Sequence, residues 1–157
     1  LKPEQKKFNI IELVHEVFEE LELKAKEKNI KLYLADTDTT TVFVYADKEK
    51  IRQVFVNLIR NSISYGNEGG STKVSFFDMD TNILVEVTDT GVGIEQKDLP
   101  RIFERFYRTD ESRSRELGGT GLGLAIVKHI IEAHDQVVNV RSTVGIGTTF
   151  GFTLEKG

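Results

Sequence analysis

The stretch "GGTGLGLAIVKHI", residues 118–130, decides how this chain is read. Four glycines fall within six residues, and the chain then becomes an apolar run with helical spacing. Glycine lets a backbone approach other groups more closely than any residue with a Cβ. The start of a helix offers unpaired N–H groups and the positive end of the helix dipole. A phosphate is therefore the leading candidate for what approaches there. The pattern is neither G-x-x-x-x-G-K-[ST] nor, with glycines at 119, 121 and 123, G-x-G-x-x-G. Taken alone, the cluster reads equally well as a hinge.

Composition narrows the classes. At 157 residues the chain fits one domain, and its 39% hydrophobic and 29% charged content is that of a soluble globular protein. A net charge of −4 with no basic block puts nucleic-acid binding at a disadvantage. The absence of cysteine excludes disulfides, thiol nucleophiles and thiolate metal sites, and fits a reducing compartment. No apolar run approaches membrane-spanning length, so direct membrane contact is not expected. The chain opens on Leu1 rather than Met, which fits a piece excised from a longer protein.

No glycine precedes Gly66, so the N-terminal part should be mostly regular structure. In "FNIIELVHEVFEELELKAKEKN" (8–29), Ile10, Leu13, Val14, Val17, Phe18, Leu21 and Ala25 share one helical face. "IKLYL" (30–34) and "TVFVY" (41–45) read as strands. Asp47 is placed to cap a helix that ends near Gly66. "STKVSFFDMD" (71–80) and "NILVEVTD" (82–89) form a strand pair, and a long charged loop with a short amphipathic piece, "LPRIFERFYR" (99–108), follows. A third helix opens at 121–124 and runs to about His134, before strands over 137–142 and 148–155. Strands in pairs between helices predict a two-layer α/β sandwich of the α+β class rather than a doubly wound parallel sheet.

Three constellations carry chemistry. On the second helix Lys50, Gln53, Asn57, Arg60, Asn61 and Ser64 form one stripe, which by default is a solvated face. Asn is a poor mid-helix residue, however, and Asn57 and Asn61 project the same way. A neutral amide oxygen suits Mg²⁺, which takes few protein ligands and completes its shell with waters and phosphates. In "VEVTDTGVGI" (85–94), Asp89 ends a strand just before Gly91 and Gly93. That is a common turn pattern. It is also a carboxylate able to accept from the amine of adenine, with glycines that would let a flat ring near the backbone. Finally, the loop "RFYRTDESRSRELGG" (105–119) holds Arg105, Arg108, Arg113 and Arg115, cations suited to a lid over a polyphosphate.

In this order the pieces resemble the catalytic and ATP-binding domain of bacterial sensor histidine kinases. "NLIRNS" (57–62) matches the N box, "DTGVGI" (89–94) the G1 box and "FERFYR" (103–108) the F box. "GGTGLGLAI" (118–126) matches the G2 box and "GIGTTF" (145–150) the last glycine motif. The resemblance covers nearly the whole chain. It implies the Bergerat fold, a mixed, mostly antiparallel sheet backed by three helices with an ATP lid over 95–120. Residues 1–8 would be the tail of a linker. The implied function is binding Mg-ATP and passing its γ-phosphoryl group to a histidine on a separate dimerisation domain.

The resemblance also implies roles for single residues. Asn61 becomes the Mg²⁺ ligand and Asp89 the reader of the adenine amine, with Gly91, Gly93 and Ile94 at the purine edge. Tyr65 flanks the nucleotide, and Thr149 lies near the base pocket. Gly119, Thr120, Gly121, Leu122, Gly123 and Leu124 face the phosphates. Tyr107 and Arg108 sit on the lid, Arg108 as a γ-phosphate contact. Asn57 stands where the ATP-splitting Hsp90 and gyrase classes carry a general-base Glu. An amide cannot take that proton, which favours transfer over hydrolysis.

Rival readings are a non-catalytic ATP-sensing module and a Bergerat-fold ATPase. The acceptor motif is missing, because "HEVFEE" (15–20) lacks the Arg and Pro that normally follow. His15, His129 and His134 are therefore expected to be structural. The implied partners are the dimerisation domain of a homodimeric full-length protein and a downstream response-regulator receiver domain. The implied location is the cytoplasmic side of a membrane-anchored bacterial sensor. Three departures from the family pattern stand out: Ser62 for Ala, Ser64 for Lys, and Asp135–Gln136 for Gly-Gly. Asp tolerates a left-handed helix cap, so Asp135 should cost under ~1 kcal/mol.

Overall fold

The computed structural model describes residues 2–109 and 122–157. Its elements are β1 (Lys6–Asn9), α1 (Ile10–Glu27), β2 (Lys31–Leu34), β3 (Phe43–Ala46), α2 (Lys48–Tyr65) and β4 (Ser71–Asp78). There follow β5 (Asn82–Asp89), a 3₁₀ turn (Leu99–Arg101), α3 (Gly123–Ala133), β6 (Val138–Thr143) and β7 (Gly147–Lys156). The strands make one sheet in the order β1-β3-β7-β5-β4-β2, with β6 also paired to β7. Only β2 and β4 run parallel among the described strands. The result is the expected two-layer sandwich with a mixed, mostly antiparallel sheet.

Two periodicities build the layers. Alternate residues of the central strands are buried: Val74 on β4, Ile83, Val85 and Val87 on β5, Phe150, Phe152 and Leu154 on β7. They meet the helical stripes, including Ile10, Leu13, Val14 and Val17 of α1 and Ile51, Val54, Phe55 and Leu58 of α2. Phe55 and Phe152 pack edge to face with ring centroids 5.6 Å apart. α2 is the middle helix, flanked by α1 and α3 and lying over β4 and β5. Among the described residues, no helix is long and apolar enough to cross a membrane.

The structure departs from the sequence expectation at the N-terminus. Lys6–Asn9 is an edge strand paired antiparallel with β3, within the segment expected to be linker tail and helix start. Asn9 makes the break. Its Oδ1 accepts from Ile11 N–H at 3.1 Å, capping α1, and from Val42 N–H at 3.0 Å, while its Nδ2 donates to Thr40 at 3.1 Å. The partner strand lies more than thirty residues away, so local pattern gave no sign of the pairing. β2 and β3, adjacent in sequence, likewise do not pair; β2 lies on the edge beside β4.

Both outer helices end in the same way. Asn29 (φ 54°) and Asp135 (φ 58°) are left-handed, and each lets the chain make the paired backbone bonds of a Schellman turn. After α3 these are Asp135 N–H to Glu132 at 2.9 Å and Gln136 N–H to Ile131 at 3.1 Å. His134 is structural, as expected. Its Nε2 accepts from Asp47 N–H at 3.0 Å, which leaves Nδ1 to donate to Ile130 at 2.8 Å, tying the end of α3 to the start of α2. Because Asp135 already tolerates its left-handed conformation, Asp135→Gly should raise stability by no more than about 1 kcal/mol, as read from urea unfolding.

Candidate functional site

Asp89 is the last residue of β5, only 6% exposed, on the sheet face that carries the helices. Its Oδ1 accepts two backbone bonds, from Gly91 at 2.9 Å and Thr148 at 3.2 Å. Among the described residues its Oδ2 has no hydrogen-bond partner. One side of the carboxylate is fixed by the fold and the other is left to whatever enters. Burial pushes the carboxyl above the usual carboxylate range, and the two amides pull it back.

Close backbone contacts hold that carboxylate in place. A Cβ on Gly91 would stand 2.3 Å from the Tyr65 carbonyl oxygen, and one on Gly147 would stand 2.0 Å from the Asp89 carbonyl oxygen. Val92 N–H donates to that same Tyr65 oxygen at 3.1 Å. Gly93 (φ 79°) is pressed against Thr143 and Val144 at the turn between β6 and β7. Gly91 and Gly93, the glycines expected at the purine edge, each meet the protein's own backbone on the Cβ side. Their missing side chains make room for other parts of the protein. Gly123 differs, since a Cβ there would meet nothing within 4 Å.

Asn57, Asn61 and Tyr65 are half-buried on α2. Asn57 Nδ2 donates to the Gly123 carbonyl at 3.2 Å, joining α2 to the first residue of α3. Among the described residues the Asn61 amide has no hydrogen-bond partner. No side chain caps α3 at Leu122, so the first amides of the helix lack a capping acceptor there. Leu124 packs partly against the core. Gly119, Thr120 and Gly121, with Arg113 and Arg115, which were expected on a lid, lie outside the described residues.

After the 3₁₀ turn, the Tyr107 hydroxyl donates to the carboxylate of buried Asp98. That bond, first among its causes, pushes the Tyr107 phenol up. The Arg101 guanidinium sits 4.6 Å from the Tyr107 ring centroid. Tyr107 is thus held between Asp98 and Arg101, and half-buried Arg108 follows it in the chain. A cavity of about 330 Å³ nearby is lined by Asn67, Val92 to Glu95, Lys97, Asp98, Thr109, Val144 and Gly145. It includes Gly93 and Ile94 but not Asp89, Asn57, Asn61 or Tyr65.

Thr149 is a correction to the sequence expectation. Val87 pairs with Phe150 and Thr88 with Thr149, so Thr149 points to the face opposite Asp89, where its hydroxyl meets that of Thr88 at 3.0 Å. Its neighbour Thr148 shares the face of Asp89, and Ser142 Oγ is 2.8 Å from its hydroxyl. Thr72, opposite Asp89 on β4, pairs through its hydroxyl with Ser62 of α2. A row of buried hydroxyls flanks the carboxylate on both sides. Alternation with Phe150, Phe152 and Leu154 was the sequence signal for Thr148.

A description of the histidine kinase-, DNA gyrase B- and HSP90-like ATPases matches residues 46–157. The chain belongs to that family. Sensor histidine kinase WalK of Bacillus subtilis (strain 168) is 40% identical over 134 residues, which are 82% of this chain. The match spans 21% of WalK, so the chain corresponds to about a fifth of that relative. The catalytic domain of histidine kinase ThkA superposes with a TM-score of 0.82 at 32% identity, covering 98% of this chain and 97% of that one. ThkA in complex with response regulator protein TrrA matches with a TM-score of 0.79 at 30% identity, covering 98% of this chain and 42% of that one. Full-length ShkA in complex with AMPPNP gives 0.86 at 28% identity, covering all of this chain and 32% of ShkA. The fold is the Bergerat-type fold of these kinase catalytic domains.

A carboxyl whose folded pKa is raised favours the protonated form, so its stability contribution is complete below the unfolded value near 3.9 and is lost as pH rises through the folded pKa. Asp89→Asn keeps an acceptor oxygen for both amides. The variant should be at least as stable as the parent at pH 7, with the difference shrinking toward pH 3. Urea unfolding at the two pH values checks this. A less stable variant at pH 7 would mean that the ionised carboxylate serves the fold.

Proposed function

We propose that this domain binds Mg-ATP and passes the γ-phosphoryl group to a histidine on a separate dimerisation domain, as the catalytic domain of a two-component sensor kinase. The observation that carries the reading is the half-used carboxylate of Asp89: Oδ1 held by two backbone amides, Oδ2 without a partner among the described residues. A buried acceptor of that kind suits an amine donor and disfavours a carbonyl, hence adenine over guanine. Ile94 and Tyr65 border the base in this reading. Thr148 supports the carboxylate, in place of the Thr149 expected from sequence.

The phosphate end falls between α2 and α3. The uncapped start of α3 supplies backbone donors at Leu122, Gly123 and Leu124, and the open space over Gly123 leaves room for an anion. Gly119, Thr120 and Gly121 would extend the same cradle. Asn61 fits as the one protein ligand of magnesium, since its half-buried amide is unspent and offers a neutral oxygen. When bound, the ion neutralises charge on the phosphates. Arg108 would meet the γ-phosphate from the lid, beside Tyr107, whose hydroxyl bonds Asp98.

Catalysis in this reading comes from position and charge. Asn57 cannot serve as a general base, and its amide already holds the start of α3. Water is thus not activated by that residue, and the γ-phosphoryl group is kept for an incoming imidazole. The acceptor histidine belongs to the dimerisation domain, which makes a homodimeric, membrane-anchored sensor with a cytoplasmic kinase domain the natural setting. The ThkA–TrrA complex supports a response regulator as the downstream partner.

Two measurements test the proposal. Asp89→Asn should lose ADP binding by about a hundredfold or more in calorimetric titration, since a buried donor on the base is left facing the wrong group. Binding equal to the parent would overturn the assignment. Mixed with a purified histidine-bearing helical domain and γ-labelled ATP, the parent should label that histidine and release little phosphate alone. Binding without labelling would leave an ATP-sensing module, and free phosphate in quantity would point to an ATPase.

A further inference from the structure

We infer that Lys28 is a positioning residue for the nucleotide site; this rests on the reading of Asp89 and Tyr65 given above. Lys28 lies outside every motif that the sequence singles out. Its half-buried side chain crosses to the C-terminus of α2, where Nζ donates to the carbonyls of Ile63 at 3.1 Å, Ser64 at 2.8 Å and Gly66 at 3.1 Å. At that helix end the Gly66 N–H reaches back only to the Ile63 carbonyl, at 3.2 Å. Its last turn holds no basic residue, and Gly66 is extended (φ −71°, ψ 154°) rather than left-handed. Its carbonyls carry the negative end of the helix dipole, so a borrowed ammonium both bonds them and opposes their charge.

The clamp reaches the site directly. The Tyr65 carbonyl lies between the Ser64 and Gly66 carbonyls that Lys28 holds, and it accepts Val92 N–H at 3.1 Å. Gly91 is packed against the same oxygen, and Gly91 N–H holds Asp89 Oδ1. Lys28 is itself anchored: Asn29 turns the chain left-handed, and the Lys28 carbonyl accepts Gly69 N–H at 3.1 Å. A chain of contacts thus runs from Lys28 through the end of α2 to Asp89. Asn57 lies two turns back along the helix, so the base end of the site depends on Lys28 more than the phosphate end does.

Lys28→Met should weaken binding of ADP and of adenosine by the same factor, about tenfold or more, measured at a temperature where the variant is fully folded. Lys28→Arg should recover most of the loss, and amide exchange at Val92 should quicken in Lys28→Met alone. Parent protein and Asp89→Asn run alongside. If the parent fails to bind ADP, the nucleotide reading itself is lost. If the parent binds and folded Lys28→Met binds equally well, Lys28 has no positioning role. A loss confined to ATP and ADP, sparing adenosine, would show a cation felt by the phosphates and would also overturn the inference. Should Lys28→Met fail to fold, Lys28→Gln, which keeps a shorter donor, is judged by the same criteria.

Discussion

A carboxylate buried at the end of a strand is the constraint on which the rest of the site depends. Ionised Asp89 is expensive to hold away from water unless its charge is met by donors. The fold supplies two backbone amides, from Gly91 and Thr148, and both reach only because neighbouring chain segments approach closer than a Cβ permits. Gly147 rides on the Asp89 backbone and Gly91 on the Tyr65 carbonyl, so three remote stretches are locked around one side chain. The flanking hydroxyls of Ser62, Thr72, Thr148 and Ser142 keep this part of the interior polar without leaving a fully buried side-chain atom unpaired among the described residues.

α2 carries that local constraint along the helical layer. One face is buried against the sheet and its two neighbouring helices, through Ile51, Val54, Phe55, Leu58 and Ile59. Once that face is committed, Asn57, Asn61 and Tyr65 must line up along the remaining side. Asn57 then meets the start of α3, and Tyr65 meets the loop after Asp89. The helix is thus tied to α3 at one point and to the loop after Asp89 at another. Lys28 and His134 hold its two ends from outside, by bonding the last carbonyls and the Asp47 amide respectively.

Much of this was legible in the chain. The stripes of α1 and α2, the Asp47 cap and the left-handed Asp135 all follow from local chemistry, and each is found as expected. Asp89 and the two asparagines were visible as polar residues in places that needed a reason. The roles of the glycines were harder to read. A sequence shows that a glycine is tolerated at 91 or 93, but only the fold shows that the space beside it is filled by Tyr65 or Thr143. Thr149 and Thr148 differ by one step, and in a strand one step reverses the face. The β7 register against β5 decides between them.

Sequence by itself determined the three helices, the strands after β1, their layer class and the polar residues whose positions needed a reason. Periodicity, capping and amide or carboxylate chemistry are all properties of neighbours along the chain. Tertiary structure alone decided which strand covers β3, which threonine supports Asp89, and that a lysine beyond α1 secures the end of α2. Those facts arise between segments tens of residues apart, where the outcome depends on how whole layers pack. No local pattern encodes a contact whose second partner is set by the rest of the fold.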